Sequence, residues 1–268
     1  VHEIDLKKNK LPILPDNTQV VFPVLHGSFG EDGGIQALLE DGKIPFVGSS
    51  SSASRTIMNK ILTKRILEEH AVLTPQYRAI ETSDAPFPEE LKLPFIVKPA
   101  NEGSTFGLSI VNYKNEWKNA LENAFEKDTL VLAEEYIKGT EITVGIINGE
   151  ALPVIEIIPP GKLFDLDAKY FYKNGKTQYL CPPENVDKEH CKKAQKIAEK
   201  CFRILDAKDI LRVDIIIKNL SFYVLEANSI PGFTASSLLP KAAAKTGISF
   251  VELCDQLVRN VFFVNIRS

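Results

Sequence analysis

The stretch RVDIIIKNLSFYVLEAN, Arg212–Asn228, decides the fold because it describes a β-hairpin with one polar and one apolar face. We place the turn of this hairpin at Asn219–Ser221. Since side chains alternate across a strand, residues on opposite strands that face each other share one side of the hairpin. The polar side then holds two facing pairs, Asp214 with Glu226 and Arg212 with Asn228.

The polar face of the hairpin predicts one of two structures. Two carboxylates and a carboxamide beside an arginine form an oxygen-rich site of the kind that Mg²⁺ prefers together with phosphate oxygens and water. The alternative is a solvated polar face with one salt bridge, and the pattern alone leaves both open. The opposite face is core-like and carries Val213, Ile215, Ile217 and Leu225.

The composition is that of an ordinary globular protein, with 44% hydrophobic and 25% charged residues among 268. A net charge of −3 excludes a general nucleic-acid binder or a polybasic membrane protein. We find no secretory signal and no membrane-spanning apolar run, and the four cysteines match no zinc pattern. These features predict a cytoplasmic protein with reduced thiols. Because the chain starts at Val1, we expect a fragment, a processed chain or part of a fusion.

Helical and extended patterns alternate along the rest of the chain, with a hairpin turn at Asn148-Gly149. This predicts an α/β (α+β) fold. Strands are expected at Val20–Leu25 and Ile44–Val47, and one amphipathic helix over Arg55–His70. The polar stretch Lys162–Gln178 predicts a long functional loop.

Four further segments predict binding of ligands, each with a simpler alternative. In VKPANEGSTFGLS (Val97–Ser109), glycines beside Lys98 favour a phosphate cradle or else a flexible turn. LAEEYIKGTE (Leu132–Glu141) fits a purine-binding hinge or a charged connector, and LHGSFGEDGG a zwitterion-binding loop or a polar turn. In LEANSIPGFTASSLLP, the serines cap a helix or bind a carboxylate.

Taken together and in order, eight segments resemble the D-alanine–D-alanine ligase family of the ATP-grasp superfamily. They are HGSFGEDG, MNK, VKPANEGSTFG, EEYIKGTEITVG, FDLDAKY, TQYLCPP, RVD and LEANSIPGFTASSLLP, and they cover about residues 20–250. The resemblance implies an ATP-grasp fold in three parts. These are a shortened N-terminal substrate-binding domain (1–52), a central lobe (53–138) and a C-terminal lobe with the metal site and lid loop (139–268).

The resemblance also implies a reaction. ATP phosphorylates the carboxylate of one D-alanine, and the amine of a second D-alanine attacks the acyl phosphate to give a dipeptide for peptidoglycan precursors. The implied cofactors are ATP and Mg²⁺ (or Mn²⁺), and the implied assembly is a homodimer or a fusion to another cell-wall enzyme. Two other functions fit the same segments: another ATP-grasp carboxylate–amine ligase, and a non-catalytic nucleotide-binding fragment.

Residue roles carry over by position. The metal ligands implied are Asp214, Glu226 and Asn228. The ATP contacts are Lys60, Lys98, Glu134, Glu135, Ile137, Glu141 and Lys169. The catalytic positions are Arg212 and the Gly232 N–H as oxyanion stabilisers, with Ser104 and Tyr170 supporting the first-substrate loop and lid. The positions that contact the two D-alanines are His26, Glu31 and Ser237.

Some positions depart from the family pattern or report specificity. Tyr170 in the lid favours an amine as the second substrate. Asn59 stands where relatives usually have Asp, Leu211 where a Gly is frequent, and Ile230 where a small polar residue is usual. The family's Gly-rich loop with a substrate-binding Glu is not found before Val20.

Overall fold

The computed structural model of the chain describes residues 1–6, 9–103, 107–159 and 177–266, where helices and strands alternate as predicted. The helices are α1 (Gly34–Asp41), α2 (Ser51–Met58), α3 (Lys60–Glu69), α4 (Trp117–Phe125, after a 3-10 turn at Lys114–Glu116), α5 (Lys188–Ile204), α6 (Leu238–Ala244) and α7 (Phe250–Ile266). The strands are β1 (Tyr77–Ile80), β2 (Phe95–Pro99), β3 (Ser109–Val111), β4 (Val131–Glu135), β5 (Thr140–Ile147), β6 (Glu150–Ala151), β7 (Ile155–Ile158), β8 (Gln178–Leu180), β9 (Ile210–Lys218) and β10 (Ser221–Asn228).

The strands form two antiparallel sheets. The smaller has the order β1-β4-β2-β3, and helix α4 packs on it through its buried residues. The larger has the order β10-β9-β5-β7-β8, with β6 paired to β5. Helix α5 covers the larger sheet because its small buried residues Ala194, Ala198 and Cys201 join the hydrophobic cluster of β5 and β9.

The N-terminal part differs from the prediction. Instead of strands at Val20–Leu25 and Ile44–Val47, the structure has one isolated parallel bridge between Val21 and Phe46. Pro23 and Pro45 lack the N–H that a longer ladder would need, which accounts for the short pairing. Val47 nevertheless packs into the cluster formed with α6 and α7, so residues 20–50 lie against the larger sheet's side of the molecule.

The predicted single helix over Arg55–His70 is two helices, α2 and α3, separated at Asn59. Asn59 has an extended backbone (φ −81°, ψ 102°), and its side chain accepts hydrogen bonds from the N–H groups of Ile61 and Leu62. The apolar spacing continues through this break, which is why periodicity alone predicts one helix.

The hairpin β9–β10 contains a β-bulge that the sequence analysis missed. The turn holds two residues, because Ser221 pairs with Lys218; the predicted turn at Asn219–Ser221 is therefore wrong. The register then shifts by one residue between Val224 and Glu226. This shift restores the two predicted pairs, Glu226 with Asp214 and Asn228 with Arg212, which are confirmed.

The bulge also corrects the predicted apolar face. Between the turn and the bulge, Phe222 and Val224 are buried in the core. Leu225 is only partly buried, so its predicted place on the core-like face is wrong. Leu225 is the extra residue of the bulge and has no partner in the ladder. Val213, Ile215 and Ile217 lie in the core as predicted.

Most of the predicted loop Lys162–Gln178, up to residue 176, is not among the described residues. Its last residue, Gln178, is the first residue of β8. No helix in the described part of the chain combines the length and the apolar character needed to cross a bilayer.

Candidate active site

The metal-site candidates are held by contacts around Asp214 on β9. Arg212 donates two hydrogen bonds to this carboxylate, from Nε to Oδ1 at 3.0 Å and from Nη2 to Oδ2 at 2.9 Å. Thr143 on the neighbouring strand donates from Oγ1 to Oδ1 at 2.6 Å. The charge of Asp214 raises the pKa of Arg212 further above its ordinary value, so the guanidinium stays charged.

Glu226 faces this pair across the hairpin and is 36% exposed through its side chain. Burial tends to raise its pKa, but the positive charges of Lys60, Lys98 and Arg212 outweigh that effect, and the pKa lies below its usual range. Lys60 Nζ lies 3.8 Å from Glu226 Oε2. The site therefore presents an ionised carboxylate beside three cations.

Lys60 opens helix α3 and is itself buried. Its Nζ donates to the carbonyl of Glu102 at 2.6 Å, in the segment that follows β2. Burial lowers the pKa of Lys60, and the charge of Glu226 opposes that shift. The ammonium thus connects the hairpin with the loop that the sequence analysis interpreted as a phosphate cradle.

A cavity of about 540 Å³ brings together seven of the predicted site residues. It is lined by parts of the N-terminal loop, of α2 and α3, of the segment after β2 and of β10. The predicted residues on its wall are His26, Glu31, Lys60, Arg212, Glu226, Asn228 and Gly232.

The loop before α1 contributes His26, Gly27 and Glu31 to the cavity wall. The side chain of Glu31 is buried, and its Oε2 accepts a hydrogen bond from the Gly27 N–H at 2.6 Å. Gly232 also lines the cavity, and Ser237 Oγ lies 3.1 Å from where a β-carbon at residue 232 would be, so these two predicted residues are neighbours. Ser237 is the N-cap residue of α6, but its hydroxyl accepts from the Thr234 N–H at 3.1 Å and makes no capping bond to the helix.

A second charged cluster lies on the small sheet, around Glu134 of β4. This buried carboxylate forms ion pairs with Lys98 on β2 and with Lys64 on α3, whose Nζ is 2.9 Å from Oε2. Burial alone would raise the pKa of Glu134, but the two ammonium groups lower it to about 2. Glu134 Oε2 is buried, and the contact with Lys64 leaves it a second lone pair.

Lys64 is a residue that the sequence analysis missed. It is fully buried, although a lysine on an amphipathic helix is ordinarily solvated. The available signal was its spacing of four from Lys60, which places both lysines on one face of a helix.

The remaining predicted residues lie where the two sheets join. Glu135 ends β4, the buried Ile137 lies in the connection, and Glu141 lies on β5 opposite Ile216. Three predicted residues, Ser104, Lys169 and Tyr170, lie outside the described residues.

Two antiparallel sheets, and a cavity that the large sheet lines with Arg212 and Glu226 and helix α3 with Lys60, define the chain as an ATP-grasp protein. Two family models match it: the D-ala D-ala ligase N-terminus over residues 2–49 and the D-ala D-ala ligase C-terminus over residues 68–259. The chain therefore belongs to the D-alanine–D-alanine ligase family.

Individual relatives agree with this assignment. The chain is 41% identical over 243 residues to D-alanine–D-alanine ligase from Syntrophotalea carbinolica, covering 90% of this chain and 78% of the relative. It is 39% identical over 264 residues to the ligase from Aquifex aeolicus, covering 96% and 88%.

Solved structures give the same result. The chain superimposes with a TM-score of 0.82 on D-alanine–D-alanine ligase from Bacillus anthracis, at 34% identity, with 92% of this chain and 81% of that chain covered. Another structure of that enzyme, described as complexed with ATP, gives a TM-score of 0.79 at 33% identity, with 91% and 79% covered.

Proposed function

We propose that this protein joins two D-alanines to D-alanyl-D-alanine at the expense of ATP, for peptidoglycan precursor synthesis. The first D-alanine carboxylate takes the terminal phosphoryl group of ATP, which leaves as ADP. The amine of the second D-alanine then attacks the acyl phosphate, and phosphate and a proton leave. The observation that carries the proposal is the convergence of Glu31, Lys60, Arg212 and Glu226 on one cavity.

The metal part of the proposal assigns Mg²⁺, or Mn²⁺, to Asp214, Glu226 and Asn228. Mg²⁺ is usually bound by one or two carboxylates together with substrate phosphates, so two carboxylates and an amide fit it. Asp214 Oδ2 accepts a hydrogen bond from Arg212, and a carboxylate oxygen has a second lone pair for a ligand. When bound, the ion would neutralise charge on the phosphates.

The nucleotide part assigns the phosphates to Lys60 and Lys98, and to Lys169 by resemblance. The buried Glu134 Oε2, which has acceptor capacity left, suits an exocyclic purine amine. The backbone of Glu135 and Ile137 follows at the sheet junction and would bind the rest of the base. Glu141 would accept from the ribose hydroxyls.

The substrate part assigns the first D-alanine to the end of the cavity with His26 and Glu31. Arg212 and the Gly232 N–H would stabilise the oxyanion that forms when the amine attacks. Ser237, next to Gly232, would contact the carboxylate of the second D-alanine. Ser104 and Tyr170 keep their predicted roles by resemblance.

The proposal extends to the organisation of the protein. We assign 1–52 to substrate binding, 53–138 to the central lobe and 139–268 to the C-terminal lobe. A cytosolic homodimer follows from the family resemblance, and light scattering of the purified protein measures the assembly.

The test is ADP release that depends on D-alanine, measured with a coupled assay in the presence of Mg²⁺. We expect release with D-alanine and none with L-alanine. The Glu226→Gln variant should lose at least about 100-fold in turnover, since charge stabilisation in a water-excluded site contributes that much. Glu150→Gln, on an exposed residue of β6, is the matched control and should retain full turnover.

Nucleotide binding without any D-alanine-dependent ADP release would contradict the proposal and favour a non-catalytic nucleotide-binding protein. ADP release that requires a different acid or amine would instead identify another ATP-grasp ligase. Near-normal turnover of Glu226→Gln would show that the metal assignment is wrong.

A further inference from the structure

The buried ammonium of Lys64 has three neighbours. Its Nζ lies 2.9 Å from Glu134 Oε2, donates to Thr74 Oγ1 at 2.6 Å, and lies 5.4 Å from the centroid of the Tyr77 ring. Removing an ammonium group from water is costly unless its neighbours compensate the charge. Burial lowers the pKa of Lys64, and the charge of Glu134 opposes the shift. The contacts with Glu134 and Thr74 compensate the buried charge, and they fix the positions of these two side chains relative to Lys64.

Thr74 connects Lys64 to the hairpin β9–β10 through hydrogen bonds. Its hydroxyl accepts from Lys64 and donates to the carbonyl of Val224 on β10 at 2.9 Å. The Val224 N–H in turn donates to the carbonyl of Leu73 at 2.8 Å. Residues 73–74 therefore bind both main-chain groups of Val224 on the open edge of β10, the outermost strand of the large sheet.

Val224 is the last regularly paired residue before the bulge. Without the bulge, simple alternation after the buried Val224 would put Glu226 on the core face as well. The hydrogen bonds from residues 73–74 to Val224 therefore hold β10 at the point where the bulge reverses which face its side chains occupy. Helix α3 contributes at a second point, because Lys60 of the same helix lies 3.8 Å from Glu226.

We propose that Lys64 and Thr74 form a positioning relay that ties the nucleotide-site carboxylate Glu134 to the metal-site carboxylate Glu226. The relay deepens the proposed function and rests on it, since both carboxylates receive their roles there. Lys64 and Thr74 do not line the cavity and act through other residues. Their contribution is geometric: a displacement of about 1 Å at a reacting group can change a rate by about 100-fold.

The experiment removes the hydroxyl of Thr74 and leaves its shape. Thr74→Val lacks both hydrogen bonds of the relay, and Thr74→Ser keeps them. Thr246→Val is the matched control, because the Thr246 hydroxyl also donates to a main-chain carbonyl, that of Ala243 at 2.7 Å, away from the cavity. Lys64→Met interrupts the relay at its other residue.

Calorimetry measures the binding of a non-hydrolysable ATP analogue at increasing Mg²⁺ concentration, and thermal melting measures stability. We expect Thr74→Val and Lys64→Met to raise the Mg²⁺ concentration for half-maximal binding by about tenfold, as is typical when a group supporting a metal ligand is removed. Thr74→Ser should stay within about twofold of the unaltered protein. Thr246→Val should lower only the melting temperature.

An unchanged Mg²⁺ midpoint in Thr74→Val and Lys64→Met, with melting temperatures lowered as in Thr246→Val, would overturn the relay and leave a structural role. The proposed function fails separately, if the unaltered protein binds the analogue with Mg²⁺ but releases no ADP with D-alanine. If the unaltered protein shows no Mg²⁺-dependent binding, both are overturned.

Discussion

At the scale of single residues, Glu134 shows how two opposing effects fix a protonation state. Burial favours the neutral acid, but Lys64 and Lys98 contact its two oxygens and favour the carboxylate. The effect of the two ammonium groups is larger than that of burial, and it lowers the pKa of Glu134 from an ordinary value of 4.5 to about 2. Glu134, which we assign to the nucleotide site, is therefore an anion at physiological pH.

This shift predicts an acid-dependent part of the stability. A carboxyl group whose pKa is lower in the folded protein stabilises it fully above the unfolded pKa, and this contribution is lost as pH falls towards 2. The shift from 4.5 to about 2 corresponds to about 3 kcal/mol at 1.36 kcal/mol per pKa unit. Urea unfolding at pH 5 and pH 3 measures the part of this loss, about 2 kcal/mol, that occurs above the folded pKa.

Glu134→Gln should be less stable at both pH values, by about 3–5 kcal/mol at pH 5, because it leaves buried ammonium groups without their anion. Its stability should also fall less between pH 5 and pH 3 than that of the unaltered protein. Glu150→Gln should keep the full acid dependence. An equal loss in Glu134→Gln would place the acid-sensitive groups elsewhere.

Sequence reasoning reached the polar residues of the hairpin but not Lys64. Facing pairs such as Asp214 with Glu226 follow from alternation along two neighbouring strands, which is local information. The burial of Lys64 depends on where α3 packs against β4 and on Thr74, and neither contact is visible in the periodicity of its own helix. For the same reason, Glu134 was assigned through resemblance and its two lysine partners were found only in the structure.

At the scale of elements, Asn59 determines where α3 begins and hence where Lys60 points. Its Oδ1 caps the helix at Ile61 and Leu62, at 3.1 and 2.9 Å. Its Nδ2 donates to Asn101 Oδ1 at 2.8 Å, in the segment after β2. An aspartate at this position could provide the cap but not this donation.

We expect Asn59→Ala to destabilise the protein by about 1–2 kcal/mol, the range for a lost N-cap. Asn59→Asp should cost less, because a carboxylate keeps the cap and loses only the bond to Asn101. Urea unfolding at pH 7 compares the two variants. Equal losses would mean that the cap contributes little and that the contact between the helix and the segment after β2 dominates.

The hairpin marks the limit of prediction at this scale. Alternation and an assumed three-residue turn gave the correct pairing at Glu226 but the wrong pairing at Phe222. Two errors compensated: the turn is one residue shorter, and the bulge adds one residue back. Apolar residues at all of Phe222, Val224 and Leu225 fit either face, so the pattern could not locate the bulge.

At the scale of the whole molecule, the main clusters of buried apolar side chains among the described residues are separate, one on the small sheet and two on the large sheet. The small sheet has its own cluster, in which the fully buried Phe95 lies 5.6 Å from Phe87 and 5.8 Å from Trp117 between ring centroids. Ile57 and Leu67, from α2 and α3, instead join the cluster of the large sheet. Val47 of the N-terminal part joins a cluster with α6 and α7.

This division predicts that the small sheet opens separately. Phe95→Ala should cost about 3–5 kcal/mol by leaving a cavity. Hydrogen exchange measured by mass spectrometry should then accelerate mainly in residues 77–135. Leu211→Ala, in the cluster of the large sheet, is the matched variant and should act mainly on β5 and β9. Equal acceleration of both sheets by either variant would show one cooperative unit.

The extra residue at Leu225 makes the hairpin tolerant of the loss of one residue. Deleting Leu225 would leave Val224 opposite Ile215 and bring Glu226 next to it in the ladder, still opposite Asp214. Inserting one residue in the turn would instead move Phe222 and Val224 off the core face that they occupy. A chain that loses this residue would therefore keep the same two carboxylates face to face, whereas a longer turn would disrupt the core beside them.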